Sequence, residues 1–305
     1  MRLMNIVTRK EVCEMNINDI LVKKIDNLTI EDENKIVNSL CNRFIIEHQK
    51  NDKSGIYGKT QYMFAFNSNH MEGSTLTINQ TRSLFQTGTL PQSDETYIAK
   101  DIEEAQGHFL MFNEMLHTYD HELSEELIKK YHFRLKQGVF EDQANGYPCG
   151  EYKSRANFVG DIITAKPNEV PQKMQELLEW YNNQNKTLDV ILKFHAIYEN
   201  IHPFQDGNGR TGRIILFKEC LSNGIIPVLF TNDIQHAYKL ALNKAQKLGD
   251  YTELLDIAKM SQMNYYKEIQ EFLYDYSLDR NVNQTSLKET KDKAKSKKKQ
   301  SNKDQ

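Results

Sequence analysis

The 305-residue chain has no Cys-x-x-Cys pair, no internal repeat, no apolar stretch of transmembrane length and almost no net charge. Its four cysteines, Cys13, Cys41, Cys149 and Cys220, are scattered, which argues against a disulfide framework or a zinc knuckle and fits a reducing compartment. The first ten residues, Met-Arg-Leu-Met-Asn-Ile-Val-Thr-Arg-Lys, contain no uninterrupted apolar h-region, so no signal peptide is expected. Nothing approaches the length of a membrane span. These absences lead to the expectation of a cytoplasmic protein without a membrane partner. A net charge of −3 gives the body no general affinity for nucleic acid. That charge is unevenly spread: residues 281–305 carry eight Lys against three Asp or Glu, which makes this end +5 and the remainder −8.

What the chain does have is helical spacing. Ile98, Ile102, Ala105, Phe109, Phe112 and Leu116 recur at three- and four-residue intervals and predict one long amphipathic helix. Ser124 followed by Glu125 and Glu126 predicts a capped helix reaching about Gly138. Further helices are expected at 170–182, at 189–201 with Val190, Phe194, Ile197 and Ile201 inward, from about 209 to before Gly224, and at 233–247 and 251–275. Pro203 disfavours helical backbone at the residue before it, so the 189–201 helix should end near His202. One segment breaks the pattern. Phe158-Val159 and Ile162-Ile163 flank Gly160-Asp161, which predicts a two-residue hairpin turn. From about Ser277 the chain is Lys, Asn, Gln and Ser, and residues 277–305 are expected to be a disordered basic tail.

Residues 202–213, His-Pro-Phe-Gln-Asp-Gly-Asn-Gly-Arg-Thr-Gly-Arg, concentrate the chemistry. Gly207-Asn208-Gly209 opens a helix where backbone N–H groups and the helix dipole favour an anion. Arg210 and Arg213, three apart, can reach the same anion. Asp206 can bind a divalent cation such as Mg²⁺ that bridges phosphates. His202, ending the preceding helix, can accept a hydroxyl proton. This set points to phosphoryl or nucleotidyl transfer. Each residue also has a plainer role open to it: capping for His202, carboxylate pairing for Arg213, and packing for Pro203 and Phe204.

The run resembles the Fic-domain signature His-Pro-Phe-x-(Asp/Glu)-Gly-Asn-Gly-Arg-x-x-Arg at every defined position. The resemblance covers about residues 60–230. It implies an all-α, Fic-like helical bundle with a single small β-hairpin flap and an enzyme that transfers AMP from ATP to a protein hydroxyl. His202 then stands as the general base, Asp206 as the Mg²⁺ ligand, and Asn208 with the Gly207 and Gly209 backbone as the anion hole. Arg210 and Arg213 orient the β- and γ-phosphates, and Phe204 anchors the loop in the core. Upstream, Ser68-Asn69-His70-Met71-Glu72-Gly73 is similar to the inhibitory helix of many Fic proteins. There the glutamate, here Glu72, bridges to the second arginine, here Arg213, and Ser68 one helical turn away can brace the carboxylate. Phe158, Val159, Gly160, Asp161, Ile162 and Ile163 correspond to the flap that holds the target segment by strand addition. Relatives often carry Gly-x-Tyr-Arg before the flap; this chain has Gly150-Glu151-Tyr152-Lys153, so no role passes to Lys153.

The domain reading is an N-terminal helical extension at 1–55, a Fic domain with its inhibitory helix at 56–230 (core 123–225), C-terminal helices at 231–276 and the tail. The expected partner is a target protein bearing a Tyr, Ser or Thr hydroxyl; self-modification and a homodimer are compatible with the resemblance. The competing readings are a Fic enzyme that mainly removes AMP or transfers another nucleotide- or phosphate-containing group, and a nucleotide-binding regulatory module without turnover. The intact Gly207-Asn208-Gly209 turn argues against the phosphate-transferring branch, and the presence of both His202 and Asp206 argues against mere binding.

Overall fold

Short polar side chains mark where five of the helices begin. In the computed structural model, which describes residues 16–92, 96–159 and 162–274, twelve α-helices are present among the described residues. They are α1 (Ile17–Leu21), α2 (Ile30–Gln49), α3 (Ile56–His70), α4 (Ile78–Thr87), α5 (Ala99–Thr118), α6 (Glu125–Lys136), α7 (Phe140–Ala144), α8 (Val170–Asn182), α9 (Leu188–Ile201), α10 (Asn208–Ser222), α11 (Gln235–Leu248) and α12 (Thr252–Leu273). Thr29 and Asp32 exchange side-chain and backbone bonds as a capping box for α2, and Thr77 with Gln80 does the same for α4. Ser124 caps α6 and Thr187 caps α9 through hydroxyl acceptors. The observed helix ends lie within a few residues of the spacing-based ones. The basic tail at 277–305, Cys13 and the turn residues Gly160 and Asp161 lie outside the described residues.

Helix α10 is the centre of the bundle. Every residue from Arg210 to Leu221 is buried, so it is packed on all sides. It contacts α3, α5, α6 and α9. Phe217 of α10 meets Phe64 of α3 and Phe112 of α5 at ring-centroid distances of 5.2 and 5.9 Å, and Phe112 meets Phe44 of α2 edge-on at 6.0 Å. Such tilted and edge-to-face pairs are favourable for aromatic quadrupoles. Helices α5 and α6 approach closely at Gly107, where a Cβ would lie only 1.9 Å from the Leu135 carbonyl oxygen. Apolar side chains from Ile20 to Leu273 form one continuous cluster, to which α1, α2, α11 and α12 contribute.

One helix is rotated from its expected face. In α9 the buried residues are Ile191, Leu192, Phe194, His195, Ala196, Tyr198 and Ile201, whereas Val190 and Ile197 are only partly covered. Because α9 packs against α8, α10, α11 and α12, its buried arc is wider than a single stripe, and polar His195 lies within it, bonded to Gly212 O and Tyr238 Oη. The late aromatics Tyr265 and Tyr266 are buried in the α12 interface, as packing. Outside the helices, Phe158–Val159 and Ile162–Ile163 pair antiparallel, in the register Phe158 to Ile163 and Val159 to Ile162. With two residues per strand this is the closure of a turn and leaves the class all-α. No helix among the described residues is long and apolar enough to cross a membrane.

Replacing Phe112, the fully buried ring that joins α2, α3 and α10, by Ala is expected to lower folding stability by about 3–5 kcal/mol. A urea titration measures it, as a fall in midpoint at unchanged slope; a loss below about 1 kcal/mol would contradict this packing.

Candidate active site

The connection between α9 and α10 turns on a strained histidine. Pro203 disfavours helical backbone at residue 202, and His202 closes α9 in the left-handed region, at φ 54° and ψ 62°, its N–H bonded to Tyr198 O at 2.9 Å. A non-glycine residue there costs on the order of 1–3 kcal/mol, which the surroundings must offset. Asn208 does part of this. Its Oδ1 accepts from Phe204 N at 2.7 Å and its Nδ2 donates to Phe204 O at 2.8 Å. The Phe204 ring is fully buried and stacks on His132 at 3.8 Å, with the planes 5° apart. His132 Nδ1 accepts from Gly150 N at 3.0 Å, so its Nε2 carries the proton and donates to Asp206 O at 2.9 Å. Burial pushes the His132 pKa down to about 3 and keeps the ring neutral.

This geometry changes one assignment. The Asn208 side chain is spent on the loop backbone and is not directed at a ligand, so an anion at this point is left with the backbone N–H groups of the α10 start. Those are available: α10 begins after Gly207, held at φ 80°, and has no side-chain cap. Gly209 faces a cleft of about 650 Å³, together with Glu72, Glu199, His202 and Arg213, with α11 forming the opposite wall. Burial pushes the His202 pKa down to about 4, helped by the nearby Lys153 cation, so its imidazole is a neutral proton acceptor across the physiological range.

Arg210 and Arg213 diverge instead of sharing one anion. Arg210 is 1% exposed and pairs with Glu104 Oε2 at 2.6 Å and Asp206 Oδ2 at 3.2 Å. Its guanidinium is thereby committed to holding Asp206, a role different from the expected phosphate contact. Lys136, 2% exposed, joins the same cluster, 2.7 Å from Asp206 Oδ2, 2.9 Å from Glu104 Oε1 and 2.6 Å from Asp142 Oδ2. Burial alone would raise the Asp206 pKa, but Arg210, Lys136 and the Gly207 N–H hold it well below the usual carboxylate range. Among the described residues no group of three or more His, Cys, Asp or Glu could hold a metal. A single ionised, half-exposed carboxylate is the kind of donor that would hold a Mg²⁺ ion, which takes one or two carboxylates and keeps its other ligands.

Arg213 turns to the other wall. Its Nε donates to Ser68 Oγ at 2.9 Å, and its Nη2 donates to Ser68 O at 2.9 Å and to Glu72 Oε1 at 2.6 Å. Helix α3 ends at His70, so Glu72 lies in the turn just beyond it. Ser68 therefore braces the arginine, where the helical spacing had suggested the glutamate. Burial raises the Glu72 pKa, but Arg213, Arg210 and Lys239 outweigh it and keep the carboxylate ionised. The carboxylate also occupies the space beside Gly209, where a Cβ would lie 2.3 Å from Glu72 Oε1.

Several participants were not visible in the linear pattern. Glu104, Lys136 and Asp142 come from three separate helices and carry no motif. Asn157, at the base of the paired strands, donates through Nδ2 to Phe204 O at 3.0 Å and Gln205 O at 3.3 Å, which attaches that segment to the histidine loop.

Residues 122–219 match the family model described as "Fic/DOC family". The curated relatives named protein adenylyltransferase fic-1 from Caenorhabditis briggsae and Caenorhabditis elegans are each 24% identical to the chain, over 255 and 217 residues, covering 82% and 69% of it and 48% and 42% of themselves. A probable protein adenylyltransferase of Aquifex aeolicus is 35% identical over 133 residues, 42% of this chain and 40% of its own. The chain thus spans about half the length of the curated relatives it matches. Among solved structures, a Fic domain containing signaling protein from Bacteroides thetaiotaomicron is 25% identical with a TM-score of 0.58, over 79% of this chain and 94% of that one. A fragment of C. elegans Fic-1 is similar in fold, with a TM-score of 0.60 at 18% identity over 79% of this chain and 71% of that one.

Replacing Lys136 by Met leaves buried Asp142 without its cation and leaves Glu104 and Asp206 to share Arg210 alone. The expected loss of folding stability is about 3–5 kcal/mol, read from denaturant midpoints at pH 7; a variant as stable as the parent would contradict the ion cluster.

Proposed function

We propose that the chain, whose residues 122–219 match the Fic/DOC family model, is a protein adenylyltransferase whose resting state is held off by Glu72. It moves AMP from ATP to a Tyr, Ser or Thr hydroxyl of a target protein, with itself as a secondary target. The reading is carried by one observation: a neutral histidine, an uncapped helix start and an arginine paired to a displaceable carboxylate all face one cleft.

In this account His202 takes the proton from the target hydroxyl as its oxygen attacks the α-phosphate, and pyrophosphate leaves. The backbone N–H groups at Asn208 and Gly209, at the uncapped start of α10, receive the negative charge that develops on the phosphoryl oxygens, already oriented and away from bulk water, while the Gly207 N–H stays on the Asp206 carboxylate. Arg213, once free of Glu72, neutralises the terminal phosphates. Arg210 acts one step back by fixing Asp206. Asp206 is the residue that would hold Mg²⁺, whose charge would screen the phosphates from one another. The paired segments Phe158–Val159 and Ile162–Ile163, with Gly160 and Asp161 between them, serve as the flap, whose edge aligns an extended target segment by main-chain bonds.

The brake is competition for one guanidinium. Glu72 holds Arg213 at 2.6 Å, and the side chain is 33% exposed, so it can be displaced into the cleft. Residues 56–230 form the catalytic unit in this proposal, with the segments at 1–55 and 231–276 as supports. Because Glu72 is ionised and opens onto the same cleft as His202, it can also orient a water, which favours AMP removal as a second activity.

With labelled ATP and Mg²⁺, Glu72→Gly is expected to raise AMP incorporation on the order of tenfold or more, and His202→Ala in that background to lower it by about 10²–10⁴-fold. Equal incorporation by the parent and Glu72→Gly rules out the brake, and incorporation that survives His202→Ala rules out the base. Because the His202 pKa lies at about 4, the Glu72→Gly rate should be level through neutral pH and fall only as pH drops toward that value; a midpoint near 6.5 would contradict the burial of this ring.

A further inference from the structure

We propose that Lys153 is the positioning residue for His202, binding the base of the flap and the catalytic loop into one rigid unit. This rests on the reading of His202 as the base. His202 is held in a left-handed conformation that its own side chain disfavours, so something must grip the peptides around it. The two carbonyls that flank it both face Lys153. The Lys153 backbone N–H donates to Pro203 O at 2.9 Å, and its Nζ donates to Ile201 O at 3.5 Å. The same ammonium donates to Asn157 Oδ1 at 2.6 Å and Thr164 Oγ1 at 2.9 Å, on either side of the paired strands. An ammonium has three donors, and these three acceptors use all of them.

The grip extends along the loop. Asn157 Nδ2 reaches Phe204 O and Gln205 O, and Thr164 Oγ1 donates back to Asn157 O at 2.8 Å. Ala165 N adds a bond to Ile201 O at 3.3 Å. The carbonyls of Ile201, Pro203, Phe204 and Gln205, which bracket His202, are therefore all held from the 153–165 segment. Lys153 is only 3% exposed, and among the described residues it forms no ion pair with a carboxylate. A buried ammonium solvated solely by neutral oxygens is costly unless those oxygens are fixed, and here each belongs to the flap base or to the end of α9. A target segment ordered on the flap edge would thus tighten the frame that aims the histidine.

The test uses the full chain carrying Glu72→Gly, with AMP transfer to one acceptor followed while ATP is varied. Lys153→Met is expected to lower kcat by about 100-fold with KM for ATP unchanged, because the phosphate-facing groups do not touch Lys153. Lys153→Arg, which keeps charge and donors, should recover most of the rate. A merely structural lysine would instead move KM and kcat together, or leave both at the parent value, and either result overturns the proposal. Failure of Lys153→Arg to recover any rate overturns it as well. Should Lys153→Met not fold, Thr164→Val, which removes one of the three acceptors, carries the same kcat-only test. His202→Ala in parallel separates the two levels: if it transfers AMP at the parent rate, the reading of the base itself fails; if it is inactive while Lys153→Met is fully active, only the role of Lys153 fails.

Discussion

A helix buried on all sides that carries three cations imposes the central constraint on this molecule. Helix α10 contains Arg210, Arg213 and Lys218, each no more than 3% exposed. A buried charge is tolerated only when it is paired and hydrogen-bonded. Lys218 meets Glu219 and the His121 carbonyl; Arg210 meets Glu104 and Asp206; Arg213 meets Glu72 and Ser68. In the first two sets Glu219 and Glu104 are buried, and Asp206 is held by a second cation, Lys136. The third stands at a cleft, and its carboxylate is the most exposed partner except for that of Asp206. The need to pair buried cations thus produces two fixed clusters and one exchangeable contact, and in the proposed function that contact is the regulated one.

The exchangeable partner arrives from outside the family-matched stretch. Residues 122–219 include His202, Asp206 and both arginines, whereas Ser68, Glu72, Asn69 and Glu104 belong to α3, α5 and the turn between α3 and α4. The glutamate partners of both arginines therefore come from beyond that stretch, whereas the Lys136–Asp206 and Arg210–Asp206 pairs lie within it. Packing explains the arrangement: α3 and α5 both contact α10, and Phe64, Phe112 and Phe217 fix their spacing. Rings that lock three helices together also fix where Glu72 and Glu104 meet their arginines.

The helices and the site's main strip were readable in the sequence because both depend on short-range rules. Three- and four-residue spacing, capping serine and threonine, and Pro203 ending α9 act within a few residues, and the observed helix ends follow them closely. Residues 202–213 were readable for the same reason. What could not be read was the direction in which each side chain turns. Spacing put Arg210 and Arg213 on one anion, but burial sends Arg210 to Glu104. It put Ser68 against Glu72, but α3 ends at His70, and Ser68 meets Arg213 instead. The family resemblance gave Asn208 to a ligand, but the strained His202 turn uses that amide to close the loop. Lys136, Asp142, Asn157 and Lys153 were missed because their partners lie up to 70 residues away along the chain.

The central claim is that Arg213 is withheld from phosphate by Glu72. The most direct measurement is calorimetric titration of Mg²⁺-ATP into the full chain carrying His202→Ala, with and without Glu72→Gln. The account predicts an affinity at least about tenfold higher with Glu72→Gln, because the buried guanidinium then lacks its counter-charge and takes the phosphates. Equal affinities for the two proteins would contradict it.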